Sequence, residues 1–226
     1  MPSARSLFRH IAHLLPIIGL LASCVESPRV ERRQRLRPHP IVAPTIAERR
    51  QCLAQLASEN ARFEPLPDQY FGAGCATVNT VRLLSVNSDT AMLGLSNLGP
   101  VACPLAGTFA AWARFGVDRA ARQILGSPLV RIETMGSYSC RNVAGTERLS
   151  AHAVAQAIDV SGFVLADGRR ITVLGDWSAG NDPEQQFLRV IHRSACRRFG
   201  TVLGPDYNTA HRDHLHLEFT GESFCR

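Results

Sequence analysis

The chain has 226 residues, 45% of them hydrophobic, with a formal net charge of +6 and a pI near 9.3. All of the excess positive charge lies in the first 50 residues, because 16 Arg and 16 acidic residues follow from residue 51 onward. Nucleic-acid binding requires clustered positive charge, so the neutral remainder argues against a nucleic-acid-binding domain.

Residues 1–23 have the features of a lipoprotein-type export signal. Arg5 and Arg9 precede an apolar run over Leu14–Leu21, which is too short to span a membrane as a mature helix. The run ends in Leu-Ala-Ser-Cys24, which resembles the lipobox of bacterial lipoproteins. That resemblance implies cleavage before Cys24 and lipidation of Cys24, hence a periplasmic, membrane-anchored protein. The alternative is an ordinary export signal with Cys24 as a bystander.

Residues 24–46 predict a flexible basic tether. Residues 25–50 contain seven Arg, three Glu and four Pro, a composition that cannot bury a core. Such a tether beside a lipid anchor could lie on an anionic membrane surface, although a solvated linker is the simpler interpretation. We expect the folded domain over residues 47–226, a length that suits one domain with a sizeable core.

The domain contains six cysteines, and none of them is spaced as Cys-x-x-Cys. In an exported chain an even number of cysteines predicts disulfides, here three, and a thiolate metal site is not expected. The spacing suggests Cys52–Cys75 as a local loop and Cys196–Cys225 at the carboxyl terminus, which leaves Cys103–Cys140.

The first part of the domain is predicted to contain two helices and two strands. The elements in chain order are a helix over 47–57, a loop through Pro65 to Gly74, a strand near Val81–Val86, a long helix over Leu105–Leu125 and a half-buried strand over Leu129–Thr134.

The second part predicts a hairpin, a helix and a closing strand. The hairpin joins Ile158–Leu165 to Arg169–Leu174 through an Asp-Gly turn. The helix spans Pro183–Phe199 and carries His192, which we interpret as a surface or packing residue. The strand covers His214–Phe219. Long helices on a small, mostly antiparallel sheet indicate an α+β fold.

Four of the five histidines after residue 50 fall in two clusters. In the closing strand, alternation places His214, His216 and Glu218 on one face and Leu215, Leu217 and Phe219 on the other, towards the core. Upstream, Ser150-Ala-His152 precedes Asp159, an acid between apolar neighbours that is costly to bury unless it is paired or metal-bound. Two His and one Asp would leave a fourth position for water, which is the pattern of a catalytic zinc site.

The two clusters together resemble a known group of zinc peptidases. Ser-x-His followed seven residues after the His by Asp, and far downstream by His-x-His, is similar to the lysostaphin, D-Ala-D-Ala metallopeptidase and hedgehog types. Residues from about 50 to 226 resemble the bacterial extensin-like C-terminal domain family, including the stretches around Gly136–Arg141 and Leu203–His216. The resemblance implies a hedgehog or DD-peptidase-like, disulfide-stabilised fold, with Zn²⁺ held by His152, Asp159 and His216.

The same resemblance implies roles for neighbouring residues. Asp213 matches the acidic base of one subgroup and His214 the histidine base of another, so both are candidates for the catalytic base. His211 and Ser150 are expected to support the centre from outside the ligand set. Arg141, with Tyr138 beside it, is a candidate for binding a substrate carboxylate through its bidentate guanidinium, the alternative being a surface salt bridge.

These observations predict an exported zinc-dependent amide hydrolase. In a bacterium, a membrane-tethered enzyme of this type points to peptidoglycan stem peptides or cross-links, cleaved by an endopeptidase or a DD-carboxypeptidase. The alternative is a non-catalytic, zinc-stabilised lipoprotein that binds the cell wall, because hedgehog-type relatives keep zinc in a binding module. A metal phosphoesterase would need more carboxylates or a second metal than the chain offers.

Overall fold

The computed structural model of the protein describes residues 43–219 and 223–226. The predicted signal segment, Cys24 and most of the tether lie outside these residues. The described part is an α+β fold with a mostly antiparallel sheet, flanking helices and three disulfides, which confirms the predicted fold class. None of its helices is long and apolar enough to cross a membrane.

One large sheet organises the described residues. Its neighbours in order are β1, β4, β5, β7, β8, β11, β10 and β12, with β6 also paired to β4 and β9 to β8, while β2 and β3 form a separate hairpin. All pairings are antiparallel except β5–β7 and β10–β12. The strands are β1 Arg62–Pro65, β2 Gln69–Gly72, β3 Cys75–Thr77, β4 Thr80–Asn87, β5 Met92–Ser96, β6 Pro100–Ala102, β7 Leu129–Gly136, β8 Ala157–Leu165, β9 Arg170–Thr172, β10 Thr201–Leu203, β11 Leu215–Glu218 and β12 Phe224–Cys225.

Four helices accompany the sheet in the described range: α1 Ile46–Ser58, α2 Cys103–Ala111, α3 Val173–Asp176 and α4 Asp182–Cys196. α1 and α4 each begin with a capping box, in which a polar side chain and a Glu three residues later bond each other's backbone N–H. After α2 the chain stays helical, with π-helical turns over Trp112–Asp118 and Ala121–Leu125, until Gly126 adopts a positive φ of 70°. The predicted helix over Leu105–Leu125 is therefore present.

The hydrophobic core lies between the sheet and the helical stretch that starts with α2, together with α4. Trp112 is fully buried against the rings of Phe109, Phe163 and Phe199, and its indole N–H donates to the Ile191 carbonyl oxygen of α4 at 3.1 Å. This hydrogen bond joins the helical stretch that starts with α2 to α4.

The alternation of buried and less buried residues changes part-way along strand β8. Ile158 and Val160 are fully buried, and after a shift in the β7–β8 register Phe163 and Leu165 are buried in the same core. Such a shift is a β-bulge, which moves one extra residue out of the alternation. Asp159, between Ile158 and Val160, therefore points to the face opposite the core.

Three predicted elements differ from the structure. The loop predicted through Pro65 to Gly74 contains β2, and a tight turn of positive-φ residues joins it to β3. The second hairpin strand ends at Thr172, because the Thr172 hydroxyl accepts from Gly175 N–H and starts α3. Phe219, predicted to face the core, is 41% exposed because β11 ends at Glu218.

Two of the three expected disulfide pairings are wrong. All six cysteines are bonded, but the pairs are Cys52–Cys103, Cys75–Cys140 and Cys196–Cys225, so only the last is confirmed. α1 packs along α2, which brings Cys52 against the first residue of α2. Cys75 lies on β3, beside the segment that follows β7. Proximity in sequence was therefore a poor guide to proximity in space.

Candidate metal centre

The three predicted metal ligands converge on one point. His152 Nε2 lies 3.1 Å from Asp159 Oδ2 and 3.2 Å from His216 Nδ1, and His216 Nδ1 lies 2.9 Å from Asp159 Oδ1. His152 and His216 are buried, and Asp159 is half-buried. One ligand atom from each residue lies within 4.8 Å of the other two, so the three could hold one metal ion.

Sheet register places two of these residues opposite each other. β11 pairs with β8 so that His216 faces Asp159, while Leu215 and Leu217 are fully buried on the core side as predicted. Directly opposed residues in an antiparallel pair have Cβ atoms about 4.5–5.5 Å apart, which lets an imidazole and a carboxylate meet.

His152 reaches the same point from the 3-10 helix Ala151–Val154, which immediately precedes β8. Ser150 caps this helix, since its hydroxyl oxygen accepts from His152 N–H at 3.3 Å. The His152 ring is fixed from behind by its Nδ1, 3.2 Å from the Ser137 carbonyl oxygen. A carbonyl oxygen can only accept, so Nδ1 carries a proton, and a deprotonated Nε2 would present its lone pair to the centre. The supporting position predicted for Ser150 agrees with this geometry, whereas Ser137 was not foreseen.

The turn between His152 and Asp159 depends on an unusual backbone conformation at Ala155. This residue is fully buried, has φ 56° and ψ 26°, and its carbonyl oxygen accepts from Ala102 N–H at 2.9 Å. A non-glycine residue in the left-handed region costs roughly 1–2 kcal/mol. The strain is therefore located at the turn that aims His152.

Substitutions at Ala155 should separate backbone strain from packing. For Ala155→Gly we expect a change in unfolding free energy within about 1 kcal/mol, because relief of strain offsets the lost methyl group and the entropy of glycine. Ala155→Val should destabilise the protein by about 3 kcal/mol, since a branched side chain is strained there and overpacks a fully enclosed position. Urea unfolding measures both changes. A well-tolerated Val would contradict the left-handed conformation.

Glu218, which shares a strand face with His214 and His216, also contacts the centre. Its Oε2 lies 3.2 Å from His216 Nε2, and its side chain is only 17% exposed. His216 is thus held between two carboxylates, Asp159 at Nδ1 and Glu218 at Nε2. The sequence signal for this contact was the shared strand face, which is common to many exposed residues.

The two candidate bases contact each other, and His214 lies between Asp213 and Asp159. Asp213 Oδ1 accepts from His214 Nδ1 at 2.8 Å, and His214 Nε2 lies 3.6 Å from Asp159 Oδ1. His214 is buried, whereas the Asp213 side chain is 31% exposed on the far side of the ring. The Asp213 carboxylate therefore orients His214 so that Nε2 faces the three converging groups.

His211 lies at the edge of the centre. Its ring centroid is 5.1 Å from that of His214 and 5.9 Å from that of His216, and its Nδ1 lies 2.7 Å from Asn208 Oδ1. Burial, followed by the charges of His214 and His216, lowers the pKa of His211 to about 4. His211 is therefore neutral at physiological pH.

The charges at the centre favour a cation. Burial raises the pKa of Asp159, but hydrogen bonds from His152 and His216 outweigh burial and hold that pKa far below its ordinary value. Burial also lowers the pKa of His216, yet hydrogen bonds with Asp159 and Glu218 prevail and raise it to about 9. A divalent cation that bound His216 Nδ1 would have to displace this proton, so affinity for the cation should increase with pH.

The predicted carboxylate-binding pair lies along one side of the centre. Tyr138 sits between Ser137 and Ser139, whose backbone groups both bond His152, and its ring packs on Phe71 with 5.4 Å between centroids. Its hydroxyl is buried, with no hydrogen-bond partner in the described residues.

Arg141 is exposed, and no carboxylate in residues 43–219 or 223–226 forms an ion pair with it, so the salt-bridge interpretation lacks a partner. Its positive charge contributes to the lowered pKa of His211. The guanidinium therefore lies near enough to the centre to influence its charges.

A second group of ligand-type residues does not form a metal site. His192, Cys196 and Cys225 lie close together, but the two cysteines are disulfide-bonded. His192 Nε2 lies 3.2 Å from the Arg226 carbonyl oxygen, and its ring packs on Trp177. His192 is therefore a packing residue.

The donor set at the main centre fits zinc. Two imidazole nitrogens and one carboxylate are typical ligands of catalytic Zn²⁺, and bonds of about 2.0–2.1 Å place tetrahedral ligands about 3.3 Å apart. The observed separations of 2.9, 3.1 and 3.2 Å need to widen only slightly to match.

Comparison with known proteins identifies the family. The family model for the extensin-like protein C-terminus matches residues 50–226. The chain belongs to this family. No curated protein and no solved structure gives a significant match. The matched residues include all three candidate ligands, His152, Asp159 and His216. The hedgehog or DD-peptidase likeness of its fold stays a prediction.

Proposed function

We propose that this extensin-like protein is an exported, zinc-dependent amide hydrolase that acts on peptidoglycan. The observation that carries the proposal is the orientation of His214. Asp213 holds its Nδ1 at 2.8 Å, and its Nε2 faces the three ligand groups without being one of them. A histidine oriented by a carboxylate and placed beside a metal centre is suited to general acid–base work.

His152, Asp159 and His216 would hold Zn²⁺ through two nitrogens and a carboxylate. Bound zinc lowers the pKa of its water to about 7 and polarises a scissile carbonyl. His214 Nε2 would take the proton from the attacking water and deliver it to the amine that leaves when the C–N bond breaks. Asp213 would stabilise the imidazolium formed in between. Proton transfer by a positioned side chain typically contributes about 10²–10⁴-fold to the rate.

Arg141 supports a substrate that carries a carboxylate. Its guanidinium is exposed, lacks an acidic partner in the described part of the chain, and lies on the segment that also holds His152 through Ser137 and Ser139. A planar guanidinium binds a carboxylate through two parallel hydrogen bonds. Stem peptides of peptidoglycan offer carboxylates beside amide bonds, so either an endopeptidase or a DD-carboxypeptidase is compatible with this arrangement.

A non-catalytic, zinc-stabilised cell-wall-binding lipoprotein is the competing function. Structural zinc sites are closed by four protein ligands, whereas three ligand groups converge here and His214 stands beside them. This difference favours the hydrolase. Three disulfides support export to an oxidising compartment, and acylation of Cys24 would place the domain at the periplasmic face of a membrane.

Incubation with purified muropeptides tests the proposed function. The zinc-loaded protein should release peptide or amino-acid products that mass spectrometry identifies, and a chelator or the His216→Ala substitution should abolish release. The product masses distinguish cleavage of cross-links from removal of a terminal residue. Intact muropeptides with the zinc-loaded wild type, indistinguishable from His216→Ala, would refute the hydrolase and leave the binding module.

A further inference from the structure

Glu218, like Asp159 and Asp213, is paired with a histidine rather than with an Arg. Seven acids of the described residues each form an ion pair with an Arg: Glu64, Asp68, Asp89, Asp118, Glu133, Asp167 and Asp206. Glu218 contacts His216 instead, with its side chain 17% exposed. A carboxylate removed from water needs a compensating partner, so its position is explained by the His216 ring.

The backbone of Glu218 is fixed independently of its side chain. Glu218 pairs with Ala157 of β8 and Thr201 of β10, and its carbonyl oxygen accepts from Gly200 N–H at 3.0 Å. Strand periodicity then places its side chain on the same face as His216, two residues earlier. Removing the carboxylate would therefore leave the strand in place.

A neutral imidazole has one N–H and one lone pair, and the partner of the N–H decides which nitrogen is left for a metal. At His216 the partner at Nε2 is the Glu218 carboxylate, at 3.2 Å, and the opposite nitrogen points at Asp159 and His152. We propose that Glu218 is a positioning residue of the metal centre, which makes Nδ1 of His216 the metal-binding nitrogen. The inference rests on the zinc centre of the proposed function.

Zinc binding to the full chain tests this assignment. The wild type, Glu218→Ala and Glu218→Gln are labelled with ¹⁵N-histidine and titrated with Zn²⁺ against a competing chelator at several pH values, so that proton competition is separated from loss of the hydrogen bond. Loss of an outer hydrogen-bonding partner typically weakens metal binding 10–100-fold, and we expect a loss of that size for Glu218→Ala. Glu218→Gln should lose less, since its amide oxygen still accepts from Nε2–H. The matched control, Glu64→Ala, removes an exposed carboxylate on β1 and should bind zinc like the wild type.

The ¹⁵N chemical shifts supply a readout that a merely structural role would not change. We expect zinc at Nδ1 of His216 in the wild type and in Glu218→Gln, and a shift towards Nε2 in Glu218→Ala. Wild-type affinity together with unchanged Nδ1 coordination in Glu218→Ala would overturn the assignment. If the wild type binds no zinc, both this assignment and the hydrolase fall. If zinc binding depends on Glu218 but the muropeptides stay intact, only the hydrolase is refuted.

Discussion

Replacing His214 with Ala is expected to lower kcat for muropeptide hydrolysis by about 10²–10⁴-fold while zinc affinity stays close to that of the wild type. His214 Nε2 is 3.6 Å from Asp159 Oδ1, whereas the proposed ligands are His152, Asp159 and His216. The substitution therefore removes proton transfer and keeps the metal. Initial rates of product release and a chelator competition on the same preparation measure the two effects.

Substitution of Asp213 tests whether Asp213 and His214 act as one unit. If the carboxylate works by orienting His214, Asp213→Asn should reduce kcat by less than His214→Ala, and the double variant should be no slower than His214→Ala alone. Groups that act as a unit are non-additive in this way. Equal and multiplicative losses would instead make Asp213 a base in its own right. His192→Ala is the matched control, because that ring packs on Trp177 away from the centre and its loss should leave kcat unchanged.

The convergence of His152, Asp159 and His216 could be predicted because their spacing follows local rules. Strand alternation puts His214, His216 and Glu218 on one face, and small residues after His152 allow a close turn before Asp159. What the sequence could not reveal is which atoms meet. The Ser137 carbonyl contacts the His152 ring only after β7 has paired with β8, and the role of Glu218 depends on the rotation of the His216 ring.

The fold was predictable to a similar degree. Periodicity locates the helices α1 and α4, and the Asp-Gly turn locates the β8–β9 hairpin. Short strands such as β2, β3 and β10 carry too few residues to produce a pattern. The disulfide pairs Cys52–Cys103 and Cys75–Cys140 depend on helix packing and on the docking of the β2–β3 hairpin, neither of which is visible in local sequence.

Removing the Cys75–Cys140 disulfide, by substituting both cysteines with Ser, is expected to reduce the unfolding free energy by about 4 kcal/mol. The bond closes a loop of 65 residues, and the chain-entropy relation gives a value of this size. A two-stranded hairpin is marginal by itself, so β2 and β3 depend on this bond and on the Phe71–Tyr138 ring contact. Denaturant unfolding under non-reducing conditions, compared with the wild type, measures the loss.

The same variant should also weaken zinc binding by about tenfold. This second effect would show that the disulfide supports the metal centre. Cys140 ends the segment whose Ser137 carbonyl oxygen and Ser139 N–H both bond His152, so a looser segment holds the ring less firmly. The matched control is removal of Cys196–Cys225, which closes a shorter loop of 29 residues between α4 and β12. It should cost about 3.5 kcal/mol of stability and leave zinc affinity unchanged. If both variants lose the same affinity, the effect arises from general loosening, and the link from Cys75–Cys140 through Ser137 to His152 is wrong.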